Sequence, residues 1–183
     1  MIFSIKKDLS STIIIFGENS SLISKKIVEV AAAKNGFVDL ELSDESLKDV
    51  LASIKKTEQV FIIFGELNDN YIKYSLDIAK NILENGILVI SYDDFYSRLK
   101  DMKTKAKIIT YGMGERADFL AGDVNKSSQG LNFKIINGGK IIPFWIKDAA
   151  IEKEIMNILP AVALAAANNM NLVEISQNLQ NSK

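Results

Sequence analysis

The sequence of 183 residues contains no histidine and no cysteine. Without histidine, the chain lacks the most common general base, the Ser–His and Cys–His pairs of nucleophilic enzymes, and the usual ligand of most zinc sites. Without cysteine, it has neither a disulfide framework nor a thiolate metal ligand, which suits a reducing compartment. These two absences exclude the most familiar classes of nucleophilic hydrolase and zinc protein.

An excess of positive charge and long apolar runs are also missing. The chain has 22 Lys and Arg residues against 23 Asp and Glu residues, so no positive field is expected that would hold nucleic acid or an anionic membrane. The N-terminal stretch MIFSIKKDLSS lacks the apolar core of a signal peptide, and no apolar run approaches the roughly 18 residues of a membrane span. We expect a cytoplasmic protein that binds neither nucleic acid nor a membrane.

The sequence does contain short apolar runs that alternate with segments of helical periodicity. Five runs predict strands, at residues 12–16, 37–42, 59–64, 86–91 and 106–112. Two segments between them, 21–34 and 69–85, predict helices. Their inward positions are Ile23, Ile27, Val30 and Ala31 in the first, and Ile72, Ser75, Leu76, Ala79, Ile82 and Leu83 in the second.

This alternation predicts an α/β fold with a doubly wound, mostly parallel sheet and helices on both faces, because the strands are apolar on both sides. Ligands of such sheets bind at the carboxyl ends of the strands. Four residues that end predicted strands, Gly17, Gly65, Ser91 and Gly112, should therefore lie along one rim.

The pattern changes after residue 112. Strand-like runs at 117–124, 130–136 and 140–146 predict a small antiparallel extension, with a hairpin at Asn137-Gly138-Gly139. A long helix and a short last helix follow, and we expect the long helix to turn six residues inward: Ile155, Ile158, Leu159, Val162, Ala165 and Ala166. No repeat or linker divides the chain, so residues 1–183 are expected to form one domain.

The stretch STIIIFGENSSLISKKIVEV, residues 11–30, runs from a strand through a glycine turn into a helix, as in a phosphate-binding loop. This loop and three later stretches together resemble the central, ATP-binding domain of the Mur ligases and their folylpolyglutamate synthase relatives. The later stretches are DIAKNILENGILVISYDDF, AKIITYGMGERADFLAGDVNKSSQGLNFKIINGGKIIPFWI and EIMNILPAVALAAANNMNLVEISQNL. The resemblance is strongest over residues 75–180. Within the family it is nearest to members that add the D-alanyl-D-alanine dipeptide to the peptidoglycan precursor.

The resemblance implies an activity that needs more than this chain. Family members phosphorylate a carboxylate with ATP and Mg²⁺, and an amine then attacks the acyl phosphate to form an amide bond. Their three domains bind the acceptor, the ATP and the incoming amino acid, and only the middle one is matched here. An ATP-dependent acid–amino-acid ligase therefore requires a protein partner that supplies the missing domains, or a longer chain of which this is a fragment.

The resemblance places the phosphate loop at Gly17–Leu22, where the family reads Gly-x-x-Gly-Lys-Thr. Gly17 is retained, and Asn19, Ser20 and Ser21 remain as polar contacts for a nucleotide. Ser21, however, stands at the position of the phosphate-binding lysine, and Leu22 at that of the Mg²⁺-binding hydroxyl. Tight binding of ATP is therefore not expected, although Lys25 and Lys26 lie one turn further along the helix.

On the adenine side, the resemblance aligns ISYDDF with Asn-x-Asp-Asp-Pro. It implies nucleotide contacts from Ser91, Asp93 and Asp94, and from Asn157 in the long helix. Two of these residues have a purely structural alternative: Asp93 would also suit the N-cap of a helix after a parallel strand, and Asn157 would suit a hydrogen bond to a neighbouring loop.

The implied metal ligands are more scattered. Glu66 falls near the position of the family's metal-binding histidine, and Glu41 aligns with a Mg²⁺-binding glutamate. Lys80 aligns with a lysine that many members carbamylate to bridge a second Mg²⁺, and the alternative is an ordinary exposed helix lysine.

Three functions remain open from the sequence. The first, which we favour, is a degenerate Mur-ligase-like domain that binds an adenine nucleotide weakly and has weak or no ligase activity of its own. The second is a protein-interaction module that kept the scaffold and lost the nucleotide. The third is a fragment of an active peptidoglycan-precursor ligase.

Overall fold

The computed structural model describes residues 11–31, 37–39, 44–54, 59–147 and 153–181. The strands of the described residues are β1 Ser11–Phe16, β2 Phe37–Asp39, β3 Gln59–Phe64, β4 Ile87–Ser91, β5 Lys107–Gly112, β6 Phe119–Ser127, β7 Gly130–Asn137 and β8 Lys140–Lys147. The helices are α1 Ser20–Ala31, α2 Asp44–Ile54, α3 Asp69–Asn81, α4 Tyr92–Asp94, α5 Lys153–Ala167 and α6 Leu172–Asn181, and α4 continues into a π-helical turn, Phe95–Leu99.

The strands form one sheet in the order β2-β1-β3-β4-β5-β6-β7-β8. Pairing is parallel from β2 to β6 and antiparallel from β6 to β8. The predicted fold class is therefore confirmed, and the predicted strands 12–16, 59–64, 86–91 and 106–112 share the sheet. The second predicted strand is present as β2, while residues 40–42 of that prediction lie outside the described residues.

Alternating side chains of the parallel strands build two cores. On one face, Ile13 and Ile15 of β1 join a cluster that includes buried residues of α1, α5 and α6. On the other, Ile14 and Phe16 join a cluster with α2 and α3. Helices cover both faces, as the apolar character of the strands predicts.

The buried face of α3 agrees only in part with the predicted one. Its buried residues are Ser75, Ile78 and Ala79, whereas Leu76 and Leu83 are 40% and 45% exposed. Ser75, Ala79 and Ile82 are thus buried as predicted, and Ile78 is buried in place of Leu76 and Leu83. The helix also ends at Asn81 rather than at residue 85, because Ile82 takes an extended conformation (φ −67°, ψ 137°) and starts the turn into β4.

Other predicted positions agree more closely with the structure. Ile23, Ile27 and Val30 of α1 are buried, and so are Ile155, Ile158, Leu159, Val162 and Ala165 of α5, although Ala166 is only half-buried. The hairpin between β7 and β8 turns at Gly138 and Gly139, which both have positive φ (55° and 79°). No helix among the described residues is long and apolar enough to cross a membrane.

The register of the strands aligns their carboxyl ends. Phe16 pairs with Phe64, Phe64 with Ile90, and Ser91 with Tyr111. The residues that follow or end these strands, Gly17, Gly65, Ser91 and Gly112, therefore lie along one rim of the sheet, as predicted.

Candidate functional site

The loop between β1 and α1 lies against the loop between β3 and α3. Gly17 has a φ of +123°, and a Cβ atom there would stand 2.9 Å from the carbonyl oxygen and 3.0 Å from the nitrogen of Glu66. A side chain at this position would be strained and would also push the two loops apart. Glycine at residue 17 is therefore required by this close approach of two backbones.

Hydrogen bonds hold the two loops together. The Glu18 N–H donates to the Glu66 carbonyl at 3.0 Å, and the Ser20 N–H turns back to the Gly17 carbonyl at 3.2 Å. A phosphate-binding loop instead directs its N–H groups toward the ligand. At least two N–H groups of this loop are thus already used within the protein.

Asn19 connects three segments of the rim. Its Oδ1 accepts from the Glu66 N–H at 2.7 Å, and its Nδ2 donates to Oδ1 of Asn157 in α5 at 2.7 Å. Both asparagines are buried, with exposures of 8% and 7%. Gly65 makes room for this arrangement, because a Cβ atom there would collide with Asn19 Oδ1.

Two carboxylates lie at the mouth of the loop. The Glu18 carboxylate accepts from Asn68 Nδ2 at 2.7 Å. The Glu66 carboxylate lies 3.0 Å from the ammonium of Lys153, the first residue of α5, and both side chains are at least half exposed. Negative charge therefore stands where the resemblance places the phosphates of a nucleotide.

Ser91, rather than Asp93, caps the helical turn after β4. The Ser91 Oγ accepts from the Asp94 N–H at 3.2 Å. Asp93 is exposed and follows the cap, so the interpretation of Asp93 as the N-cap is wrong. Gly114, in the loop after β5, lies near Asp93, since a Cβ atom there would stand 3.9 Å from Asp93 Oδ1.

Asp94 is the half-buried carboxylate of this part of the rim. Burial raises the pKa of the Asp94 carboxyl above its usual value, against the opposing attraction of Arg98, whose Nε lies 3.8 Å away. Glu66 contributes a smaller repulsion. The Asp94 carboxyl therefore has a raised pKa mainly because it is half-buried.

Tyr111 and Arg98 are rim residues that the sequence analysis did not identify. The buried Tyr111 donates its hydroxyl hydrogen to the Phe64 carbonyl at 3.0 Å, and burial, with Asp94 and Glu66 nearby, raises the pKa of that hydroxyl. Arg98 donates to the Leu67 carbonyl at 2.9 Å. Tyr111 could have been identified from the sequence, because it lies near the carboxyl end of a predicted parallel strand. No sequence pattern around Arg98 indicates that it lies at the rim.

Of the proposed metal ligands that the structure describes, Glu66 lies at the rim and Lys80 does not. Lys80 is exposed in the last turn of α3, about 18 Å along the helix axis from the Asn68 cap at the rim. Glu41 lies outside the described residues. Across the part of the chain that is described, no group of three or more Asp and Glu side chains is arranged to hold a metal ion.

A hollow of about 300 Å³ opens between α1 and α5, beside the Asn19–Asn157 hydrogen bond. Its lining consists of Leu22, Lys25, Lys26, Lys153, Glu154 and Asn157. A larger hollow, of about 380 Å³, lies over β6, β7 and β8 around Asp123 and Lys134. We regard the smaller one as the candidate site, because it alone includes a residue of the predicted site and adjoins the loop.

Comparisons with known proteins give a consistent family. A family model described as the Mur ligase middle domain matches residues 63–165, which is more than half of the chain. The UDP-N-acetylmuramoyl-L-alanyl-D-glutamate–L-lysine ligase of Staphylococcus aureus is 25% identical over 174 residues, covering 87% of this chain and 34% of that protein. The chain thus spans about a third of the length of this curated relative.

Solved structures share the fold. The UDP-N-acetylmuramoylalanyl-D-glutamyl-2,6-diaminopimelate–D-alanyl-D-alanyl ligase of Acinetobacter baumannii has a TM-score of 0.74 at 13% identity, covering 94% of this chain and 46% of that one. The MurF ligase of Thermotoga maritima in complex with ADP has a TM-score of 0.67 at 10% identity, covering 91% and 47%.

These matches do not single out the dipeptide-adding members, because the sequence relative is a lysine ligase and the likeness to the dipeptide ligase is one of fold. What they have in common is the middle domain, over the residues that form β3 to α5. The chain therefore belongs to the Mur ligase family, through its middle domain.

Proposed function

We propose that this chain is a Mur ligase middle domain that keeps the nucleotide-binding scaffold but has lost the side chains for phosphoryl transfer. By itself, it would have weak or no amide-ligase activity. Ser21 and Leu22 stand where the resemblance places the phosphate-binding lysine and the Mg²⁺-binding hydroxyl. Loss of the charge-assisted lysine contact alone removes about 1.5–3 kcal/mol from binding.

The observation that carries this proposal is the closure of the β1–α1 loop onto residues 65 and 66. A triphosphate requires open N–H groups and positive charge, yet Glu18 and Ser20 use their N–H groups internally. The Glu18 and Glu66 carboxylates add repulsion at the mouth. The loop as folded does not fit a tightly held triphosphate.

The residues of the rim also fit Mg²⁺ poorly. Of the predicted metal ligands that the structure describes, only Glu66 lies at the rim, and its carboxylate is paired with Lys153. Mg²⁺ prefers several oxygen ligands in near-octahedral geometry, usually with substrate phosphates among them. No catalytic step is therefore assigned to a metal in this chain.

Weak binding of an adenine nucleotide remains part of the proposal. The contacts would come from the rim residues Gly17–Ser21, Ser91–Asp94 and Asn157. A helix N-terminus favours an anion by about 0.3–1 kcal/mol, which the carboxylates oppose. We expect a dissociation constant in the millimolar to high-micromolar range, or roughly −4 to −6 kcal/mol.

Ligase activity would need domains outside this chain. The relative from Staphylococcus aureus is about three times as long as the matched part, and the resemblance assigns acceptor and amine binding to its other domains. We propose that a protein partner or a longer chain supplies them, in an ATP-dependent acid–amino-acid ligase of peptidoglycan synthesis. Those other domains would select the amine substrate, for which the resemblance indicates the D-alanyl-D-alanine dipeptide.

A second candidate is a protein-interaction module at the same rim. Three large apolar side chains there are exposed: Leu22 (50%), Tyr96 (54%) and Met113 (40%). They follow the ends of β1, β4 and β5. A partner protein that covers the rim would bury these three side chains.

Turnover by the purified chain tests the proposal. We expect no ATP hydrolysis above the buffer rate in the presence of Mg²⁺, with inorganic phosphate as the readout. Hydrolysis that is saturable in ATP and abolished by Lys25→Gln or Lys26→Gln would contradict it, because a neighbouring lysine would then have replaced the missing one.

A further inference from the structure

The hollow between α1 and α5 has the size for a single ring system. Its volume of about 300 Å³ is at the lower end of the range for ligand pockets, enough for a heterocyclic base but not for a whole nucleotide. Leu22, which is half exposed, contributes an apolar surface, and the aliphatic stems of Lys25 and Lys26 extend it.

The hydrogen bonds of the two asparagines determine which group Asn157 offers to this hollow. The Glu66 N–H can only donate, so the Asn19 atom that it meets at 2.7 Å must be the oxygen. The amide nitrogen of Asn19 then donates to Asn157, so the Asn157 atom that faces Asn19 must be its amide oxygen. Because Asn157 also lines the hollow, its amide nitrogen, a donor, is the group left for a ligand.

The other polar groups of the lining are mostly donors as well. Lys26 and Lys153 are paired with Glu29 at 2.6 Å and Glu66 at 3.0 Å, but each ammonium has three hydrogens to donate. Lys25 makes no ion pair with any residue that the structure describes. Glu154 is the one carboxylate of the lining, and it already takes part in an interaction.

We propose that this hollow binds a base through an edge that presents acceptors, and therefore prefers guanine to adenine. Guanine offers two adjacent acceptors, O6 and N7, whereas adenine places a donor amino group beside N7. On the edge that carries N7, adenine would set this amino group against the donors of Asn157 and the lysines. The inference rests on the weak nucleotide binding proposed above and adds the preference for the base.

Calorimetric titration with GDP, IDP and ADP, without Mg²⁺, tests the preference. GDP and IDP should bind about tenfold more tightly than ADP, which corresponds to one hydrogen bond left unmade. IDP belongs with GDP because it carries O6 and N7 without the 2-amino group. Equal or tighter binding of ADP, or GDP binding weaker than about 10 mM, would overturn the proposal.

Asn19→Asp tests the orientation of the amides. An aspartate still accepts from the Glu66 N–H but cannot donate to Asn157, which should turn its nitrogen toward residue 19 and its oxygen toward the hollow. The preference for GDP over ADP should then disappear or reverse. Asn85→Asp, on an exposed turn, adds the same charge away from the hollow and should keep the preference. An unchanged ratio in a folded Asn19→Asp protein would contradict the proposal.

Lys25→Gln gives a second test that does not disturb the buried hydrogen bonds. It should weaken GDP at least threefold and ADP less, whereas Lys73→Gln on the exposed face of α3 should change neither. Equal losses for both nucleotides would reject the base preference. Tight binding or hydrolysis of ATP would instead contradict the proposed function, so the two failures are distinguishable.

Discussion

The side-chain amide of Asn19 donates to Oδ1 of Asn157 at 2.7 Å, and this bond joins the β1–α1 loop to a helix 138 residues further along the chain. Through its own Oδ1, Asn19 also holds the Glu66 N–H. One buried side chain therefore fixes the positions of three segments at the rim. The arrangement ties the shape of the loop to residues of β3–α3 and α5.

Removal of this side chain should destabilise the protein. Asn19→Ala leaves the Glu66 N–H and the Asn157 oxygen without their partner, which we expect to lower the free energy of unfolding by about 1–3 kcal/mol. Urea denaturation followed by circular dichroism measures this change. Asn85→Ala, on an exposed turn, should stay within about 0.5 kcal/mol of the wild type. A loss for Asn19→Ala no larger than that control would mean that the rim is held by other contacts.

Gly65→Ala should disturb the same hydrogen bonds by a different route. The new Cβ atom would collide with Asn19 Oδ1 and stand 2.8 Å from Ile23 Cδ1, so we expect a loss of about 1–3 kcal/mol. Gly122→Ala is the matched control, because its Cβ atom would meet nothing within 4 Å. In the Asn19→Ala background, the cost of Gly65→Ala should shrink. Additive losses would show that the collision with Asn19 does not matter.

Asp94 should give the protein a measurable pH dependence. Its pKa is raised, chiefly by burial, so the folded state binds a proton more tightly than the unfolded chain does. The resulting stabilisation is present below the unfolded pKa of 3.8 and is lost as the pH rises through the raised value. Asp94→Asn should therefore be more stable than the wild type at pH 7, and this advantage should vanish near pH 4.

Urea denaturation of both proteins between pH 4 and pH 7 measures the difference. Asp101→Asn, which removes an exposed carboxylate of the same loop region, controls for the loss of one negative charge. If Asp94→Asn were less stable than the wild type at pH 7, the attraction to Arg98 would outweigh burial, contrary to the sign expected here.

Glu66→Gln should strengthen the binding of ATP. The substitution removes a negative charge from the mouth of the loop and releases Lys153 from its ion pair. We expect about a two- to fivefold gain in affinity at low ionic strength, falling as salt is added. Glu84→Gln removes an exposed charge at the other end of the sheet and should leave affinity unchanged. A gain that persists in high salt would point to a change of loop shape rather than of charge.

Much of the fold could be predicted from the sequence because its signals are local. Runs such as TIIIF and QVFIIF are apolar on both faces, and this pattern is typical of a covered parallel sheet. Helix α2 was not predicted, although Leu47, Val50, Leu51 and Ile54 carry the spacing of a helix that packs on one side. In and after α3, Leu76 and Leu83 are exposed against expectation and Ile78 is buried instead, because several neighbouring positions are apolar and only packing selects among them.

The details of the rim were less predictable, since they depend on distant contacts. The Asn19–Asn157 bond joins residues far apart in sequence, and nothing local distinguishes it from a contact with a ligand. Lys80 matches the family pattern in sequence, but α3 begins at Asp69 directly after its Asn68 cap, which puts this lysine in the last turn. Lys80 therefore lies far along α3 from the rim.

Restoration of the phosphate loop tests the proposed loss of function most directly. The variant with Ser20→Gly, Ser21→Lys and Leu22→Thr regains the side chains that the resemblance assigns to phosphate and Mg²⁺. Calorimetric titration with ATP and Mg²⁺ should show wild-type binding in the millimolar to high-micromolar range and at least about tenfold tighter binding by the variant. Low-micromolar binding by the wild type would contradict the proposed loss. A folded variant that binds no ATP would show that the nucleotide pocket itself is gone and would favour the interaction module.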